Sequence, residues 1–346
     1  MAASNSTLNI DSLCSLPTQP LFIVYSLFLV LIMLVTVFGN FLVIVAVYRF
    51  HCLRRMTNFF ITSLALSDLL VGLGHLPLRI HLSVHNNNWC LDKAEGVLTV
   101  CTYWIVTDAV FSCASICNLV VISIDRFLAI TKPYQYQNRM TKQVGFSLVT
   151  FVWVYSIMWG VLSLVDWTGD STPDNPHINV KGSRSNERTC GKQDKMYYTT
   201  AMGVVFLLPL LIVIVTYSFV FRVAYTQAKA VDSHDTNQGK RRILRELKAT
   251  RTIAMVIGVF IVCWLPFFIL TVLSLWCVSC FEPFVENRAL SFAVRIVFVF
   301  VLPVMNSSLN PLIYTVFNKE FRSAFTRMLC RGRAGNGNRK VAKQKI

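Results

Sequence analysis

Three carboxylates in this 346-residue chain stand inside long apolar runs. An ionised side chain at the centre of a bilayer costs about 2.5 to 3.5 kcal/mol even on the lenient insertion scale, so each needs a reason. Asp108 and Asp125 lie near the two ends of TDAVFSCASICNLVVISIDRF (Thr107–Phe127), and Asp68 sits in LALSDLL. Asp108, Ser112 and Ser115 follow i, i+4, i+7 spacing, which puts them on one helix face, turned to the interior of a helix bundle. Asp125 lies roughly 26 Å further along that helix, so the two acids serve different sites. Arg126 follows Asp125 at once, and Glu246 stands at the start of another long helix with a basic entry. Carboxylates from two helices around one guanidinium make a clasp that breaks when the helices part; the plainer alternative is a charge pair that only anchors a helix end. Asp68, with Ser115, Asn306, Ser307 and Asn310 as companions, has an oxygen-rich shell suited to a small hard cation such as Na⁺ or to a proton. A protonated acid in an internal hydrogen-bond network is an equal alternative.

The elements that must position these residues follow from composition. With 54% hydrophobic and 14% charged residues, the chain is wrong for a soluble domain of its size. Apolar runs long enough to cross about 30 Å of hydrocarbon as helix recur near 22–49, 58–84, 98–124, 145–165, 197–223, 252–276 and 289–316. The expected fold class is an all-α membrane protein: a seven-helix transmembrane bundle with a short amphipathic eighth helix. The third and sixth helices are expected to continue into the cytoplasm. The expected divisions are an outer tail at 1–20, the bundle at 21–316, an interfacial helix at 317–330 and a basic inner tail at 331–346.

Lys and Arg set the orientation. The first twenty residues have none, a poor signal-peptide start, so the first span is expected to serve as its own uncleaved signal. Arg49, Arg54 and Arg55, the Lys240–Arg251 segment and the tail from Lys319 to Lys345 are basic. The positive-inside bias then places the N-terminus outside and the C-terminus inside, as an odd number of spans requires. Much of the +16 net charge is therefore an orientation and anionic-lipid signal rather than a sign of nucleic-acid binding. Phe317, Phe321, Phe325 and Leu329 recur every fourth residue with Lys319, Arg322 and Arg327 between them, an amphipathic pattern for the inner interface. Cys330 at its end is a palmitoylation candidate.

Asn5-Ser6-Thr7 is a glycosylation sequon on the outer tail, whereas the similar Asn306-Ser307-Ser308 falls inside a span and is discounted. Cys113, Cys117 and Cys263 within spans read as small packing residues. Cys101 and Cys190 face an oxidising compartment, where they can pair. Bridges Cys277–Cys280 and Cys14–Cys90 are also open to the chain. Pro209, Pro266 and Pro311 each remove a backbone hydrogen bond inside a span and make a kink or weak hinge, with Phe260 and Trp264 placed to swing at Pro266.

GNFLVI with Asn40, LALSD with Asp68, DRF at Asp125–Phe127, Trp153, Pro209 with Tyr217, CWLPFF at Cys263–Phe268 and NPLIY at Asn310–Tyr314 occur in this order. On these residues the chain resembles a rhodopsin-like (class A) G-protein-coupled receptor over about 20–330, and within it the biogenic-amine subfamily. The resemblance implies that Asp125, Arg126 and Glu246 form the inner lock, with Arg126 meeting a heterotrimeric G protein on activation. It implies a sodium site at Asp68, Ser115, Asn306, Ser307 and Asn310, and a transmission triad of Pro209, Ile116 and Phe260 under a Trp264 toggle. Tyr217 and Tyr314 join the same switch, and Cys101–Cys190 would be the outer disulfide. Asp108 matches the amine-binding aspartate of a pocket whose other members would be Ala109, Ser112, Ala201, Val205, Trp264, Phe267, Phe268, Phe300 and Val304. The implied setting is the plasma membrane, with a cationic small molecule outside, a G protein inside, and arrestin and lipid as further partners.

Departures from the subfamily shape these expectations. Where amine receptors carry Trp and Tyr on the seventh helix this chain has Val301 and Val304, and where catecholamine receptors carry serines on the fifth it has Ala201, Met202 and Val205. Lys192, just after Cys190, brings a positive charge near the pocket mouth. A non-amine ligand, or an orphan with high basal activity in which Asp108 is structural, is therefore the second reading. A retinal receptor would need a lysine within 289–316, and there is none. A transporter or channel would use Asp68 and Asp108 as an ion path, but the chain lacks an inverted repeat. An enzyme is not expected: the polar residues at membrane depth offer no nucleophile–base pair or metal-ligand cluster, so no cofactor beyond Na⁺ is called for.

Overall fold

The structure, a computed structural model, describes residues 20–85, 94–168, 178–182, 188–192, 194–234, 237–277, 280, 290 and 293–330; the side chains of 20, 21, 94, 95, 133, 137, 224, 225, 227–251, of the hairpin before Lys192 and of 330 lie outside that description. Asn5, Cys14 and Cys90 also fall outside it. Among the described residues seven helices are long and apolar enough to cross a membrane: Phe22–Arg49, Met56–Val84, Gly96–Thr131, Lys142–Leu162, Lys195–Val223, Thr252–Trp276 and Arg295–Phe317. Helix is the form these runs take because hydrocarbon offers no partner to a backbone amide or carbonyl, so every such group must be satisfied within its own segment. The third helix ends with its span at Thr131, later than the expected 124, whereas the fifth runs past its span to His234 and the sixth begins well before its span, at Asn237.

The third helix is the axle of the bundle, packed against the second, fourth and fifth. Close approach depends on small residues. A Cβ on Gly39 would meet Pro311 of the seventh helix at 2.8 Å, and one on Gly160 would collide with Val110 of the third. Outward faces such as Phe146, Phe151, Val154 and Ile157 of the fourth helix are apolar and exposed, as lipid contact requires.

Three spans are not regular. Each contains a widened π-helical turn, at Val71–His75, Met202–Leu207 and Arg295–Val301. In each case a proline stands two residues beyond the turn: Pro77, Pro209 and Pro303. A proline ring clashes with the carbonyl four residues back, and here that carbonyl belongs to Leu73, Val205 or Val299, within the widened turn. Pro266 and Pro311 sit within continuous helix instead.

Two features lie at the rims. At one rim, β1 (Ile178–Gly182) and β2 (Arg188–Lys192) form an antiparallel hairpin that pairs Val180 with Cys190, a strand element the sequence reading did not foresee. At the opposite rim, the backbone breaks at Asn318, whose side chain accepts from the amides of Glu320 and Phe321 and so caps the helix Lys319–Cys330. Phe321 and Phe325 are buried and Phe321 stacks on Tyr314, but Leu329 is exposed, which shortens the expected apolar stripe. Glu320 pairs with Arg55 at 3.2 Å.

Candidate functional site

The outer halves of the helices enclose a cavity of about 210 Å³. Asp108, Ala109, Ser112, Ala201, Val205, Trp264, Phe267, Phe268, Phe300 and Val304, scattered over four helices, all line it. The Asp108 carboxylate is half exposed to this space, and its Oδ1 lies 3.5 Å from Nδ1 of His75, a buried ring stacked on Trp104. Phe206, Phe260, Trp264, Phe267 and Phe268 form a continuous aromatic floor, with Phe206 and Phe268 rings 4.1 Å apart and Trp264 edge-on to Phe267 at 5.7 Å. Pro209, Ile116 and Phe260 meet directly beneath, around a small void. Of the two seventh-helix valines, only Val304 lines the cavity; Val301 packs with Tyr25, Leu29, Ile32 and Leu76. The widened turn ending at Val301 shifts the phase of the helix, so counting at the regular period misplaces that residue.

His75 and Arg79 also line the cavity, and the sequence reading missed both. A signal was there: Arg79 is a charge within an apolar span, as unexplained as the three carboxylates. Lys192 reaches the cavity too, as its place after Cys190 led one to expect, and its charge is matched by a carboxylate. Nζ donates to the Val165 carbonyl at 2.7 Å and lies 3.4 Å from Asp194, over the Tyr197 ring. Burial pushes the Lys192 ammonium below the usual lysine range, and Asp194 opposes that shift. Asp194 in turn accepts from the amides of Trp167 and Tyr197, tying the outer loop to the start of the fifth span. Cys277 and Cys280 form a disulfide; Cys101 is disulfide-bonded, and the Cys190 side chain lies outside the described residues.

One layer inward, Asp68 is fully buried and accepts from Ser307 Oγ at 2.8 Å and Asn310 Nδ2 at 2.7 Å. Asn40 braces the same segment by donating to the Ser307 carbonyl. Ser115 Oγ, Asn306 Oδ1 and Asn310 Oδ1 are buried and make no hydrogen bond. A buried carboxylate whose partner Asn310 keeps an orphaned amide oxygen is a chemistry that fits a small oxygen-loving cation.

At the inner end, buried Asp125 accepts from Thr57 Oγ1 at 2.6 Å, Tyr136 Oη at 2.7 Å, and Arg126 Nε and Nη2 at 3.0 and 2.7 Å. Arg126 also contacts the Thr57 hydroxyl. Thr57 and Tyr136, the latter on the short helix Pro133–Arg139, are partners that sequence did not reveal. Burial, reinforced by Asp125, pushes the Tyr136 phenol well above its ordinary value. Glu246 lies on the sixth helix with its side chain outside the described residues, so the second arm of the expected clasp is not placed. Tyr217 Oη is buried without a hydrogen bond, and Tyr314 is buried beside the last helix.

Seven spans enclose an aromatic-floored cavity at one end and a buried charge cluster around Asp125 at the other. The chain matches the family described as "7 transmembrane receptor (rhodopsin family)" over residues 39–314, and it belongs to that family. It is 33% identical to the D(1A) dopamine receptor of Didelphis virginiana, over 87% of this chain and 72% of that receptor. Against the octopamine receptor beta-2R of Chilo suppressalis the identity is 32%, covering 87% and 78%, and against the D(1B) dopamine receptor of Xenopus laevis 33%, covering 87% and 68%. The protein is thus a multi-pass G-protein-coupled receptor similar to receptors of biogenic amines.

Proposed function

We propose that this receptor binds a small cationic amine from outside through Asp108 and activates a heterotrimeric G protein inside through Arg126. The observation that carries the reading is the half-exposed Asp108 carboxylate opening into a cavity floored by aromatic rings. An ammonium a few ångströms from a carboxylate gains about 4 kcal/mol at an effective dielectric of 20, before desolvation is set against it. The ring faces add a cation–π contribution. Ala201 and Val205 offer no hydroxyl, so the only fifth-helix hydroxyls lining the cavity among the described residues are the phenols of Tyr197 and Tyr198. The relatives' names, dopamine and octopamine receptors, support the amine class.

Asp68, Ser115, Asn306, Ser307 and Asn310 would hold Na⁺ and tie the second, third and seventh helices together in the resting state. Asp125 would keep Arg126 from the G protein until the inner ends part, with Glu246 as second arm and Tyr217 and Tyr314 joining the rearrangement. Pro209, Ile116, Phe260 and Trp264 would carry movement from the ligand to that lock. The N-terminus lies outside with Asn5 glycosylated, the C-terminus inside with Cys330 palmitoylated and available to arrestin.

The test is G-protein activation in cells against a panel of monoamines, trace amines and imidazole amines, with Asp108→Ala alongside. Loss of an amine response by at least a hundredfold in potency, at wild-type surface level, is expected. Normal potency in the mutant would exclude Asp108 as the anchor.

A further inference from the structure

The charged groups lining the cavity are His75, Arg79, Asp108 and Lys192. Lys192 is matched by Asp194. That leaves Asp108 and Arg79, opposite in sign, facing one small space. An arginine does not lose its proton, so the charge stands wherever the side chain is placed. The Arg79 side chain is buried almost completely. Its Nε donates to Tyr25 Oη at 3.3 Å, its guanidinium carbon lies 3.5 Å from the Phe300 ring centroid, and Nη2 is buried with no hydrogen-bond partner. No carboxylate pairs with it within 4.0 Å among the described residues. A buried guanidinium with an unused donor calls for an anionic acceptor.

The two charges stand at neighbouring levels of the cavity. His75 touches Asp108, and Arg79 follows one turn outward on the same helix, about 6 Å along its axis. We propose that the ligand is a zwitterion of the amino-acid class, its ammonium on Asp108 and its carboxylate on the free edge of Arg79. This deepens the amine reading above and rests on it for the Asp108 half. It also gives the missing aromatic residues of the seventh helix a reason: the wall that would close over a simple amine is here given to Phe300 and the guanidinium it carries.

The experiment compares amino acids with their decarboxylated amines on cells expressing wild type, Arg79→Gln, Arg79→Lys and Asp108→Asn, each quantified at the surface through an N-terminal tag. The probes are tyrosine with tyramine, tryptophan with tryptamine, histidine with histamine, and γ-aminobutyrate and β-alanine, whose charges stand further apart. The expected result is at least a tenfold preference for one carboxylate-bearing probe over its amine in wild type. Arg79→Gln should remove that preference, Arg79→Lys retain part of it, and Asp108→Asn abolish both responses. If amines act through Asp108 and the added carboxylate lowers potency equally in wild type and Arg79→Gln, Arg79 is an internal counter-ion and only the amine reading survives. Responses dependent on Arg79 but not on Asp108 would overturn the zwitterion and the amine together. So would silence across all probes at full surface expression.

Discussion

At the scale of single residues, the cluster around Asp125 is more crowded than a pair of opposite charges. Asp125 accepts hydrogen bonds from Thr57, Tyr136 and Arg126, so its two oxygens are held from the second helix, the inner loop and its own neighbour. A hydrogen bond to an ionised, buried acceptor contributes about 1.5 to 3 kcal/mol. Tyr136→Phe should therefore lower the melting temperature of the purified receptor, by about 2–4 °C for each kcal/mol lost. An unchanged melting temperature would mean that Thr57 and Arg126 alone satisfy the acid. The pH dependence has a definite sign. Because the folded phenol titrates above its ordinary value of 10.0, the Tyr136 contribution is complete below that pH and falls away as pH rises toward the folded value.

At the scale of elements, what matters is where the helices can approach and where they cannot stay regular. Gly160 lets the fourth helix lie against Val110 of the third, and the third carries Asp108 and Asp125 at its two ends. Gly160→Leu should push these helices apart, reducing surface expression several-fold and weakening ligand affinity through a displaced Asp108. Normal expression with normal affinity would show that the contact has slack. The existence and extent of the spans were legible in the sequence, because some twenty consecutive apolar residues have few other uses. The widened turns were not. Pro209 was recognised as an interruption, but Pro77 and Pro303 were passed over, since a proline marks a fault in the hydrogen-bond ladder without stating how the backbone repairs it.

At the scale of the whole molecule, two polar layers are stacked beneath the cavity and linked by the third helix. Asp68 joins the second helix to the seventh through Ser307 and Asn310. A cation held there would favour one arrangement of those helices, and by reciprocity an agonist favouring another would weaken cation binding. Asp68→Asn is expected to abolish any effect of Na⁺ on agonist affinity, measured by agonist displacement in Na⁺ against a large organic cation. Persistent sodium dependence would place the ion elsewhere. How much of the site could be read in advance divides along the same line. Ten of the cavity-lining residues were named in advance by the resemblance, Asp108 also by its cost in hydrocarbon. His75, Thr57 and Tyr136 were not, because each acquires its meaning from a carboxylate on another element, and such pairings exist only after the helices pack.

The widened turns also bear on how the chain tolerates changes in its length. A π-helical turn holds one residue more than the flanking α-helix needs, and the residues on either side keep their angular phase around it. Loss of one residue within Val71–His75 would let the second span close into regular helix with Asp68 below and Arg79 above still facing inward. The same loss between Leu76 and Arg79 would turn Arg79 by about 100° toward its neighbours. The second, fifth and seventh spans each carry a single-residue spare at the depth of the cavity, where a deletion is absorbed in place rather than transmitted along the helix.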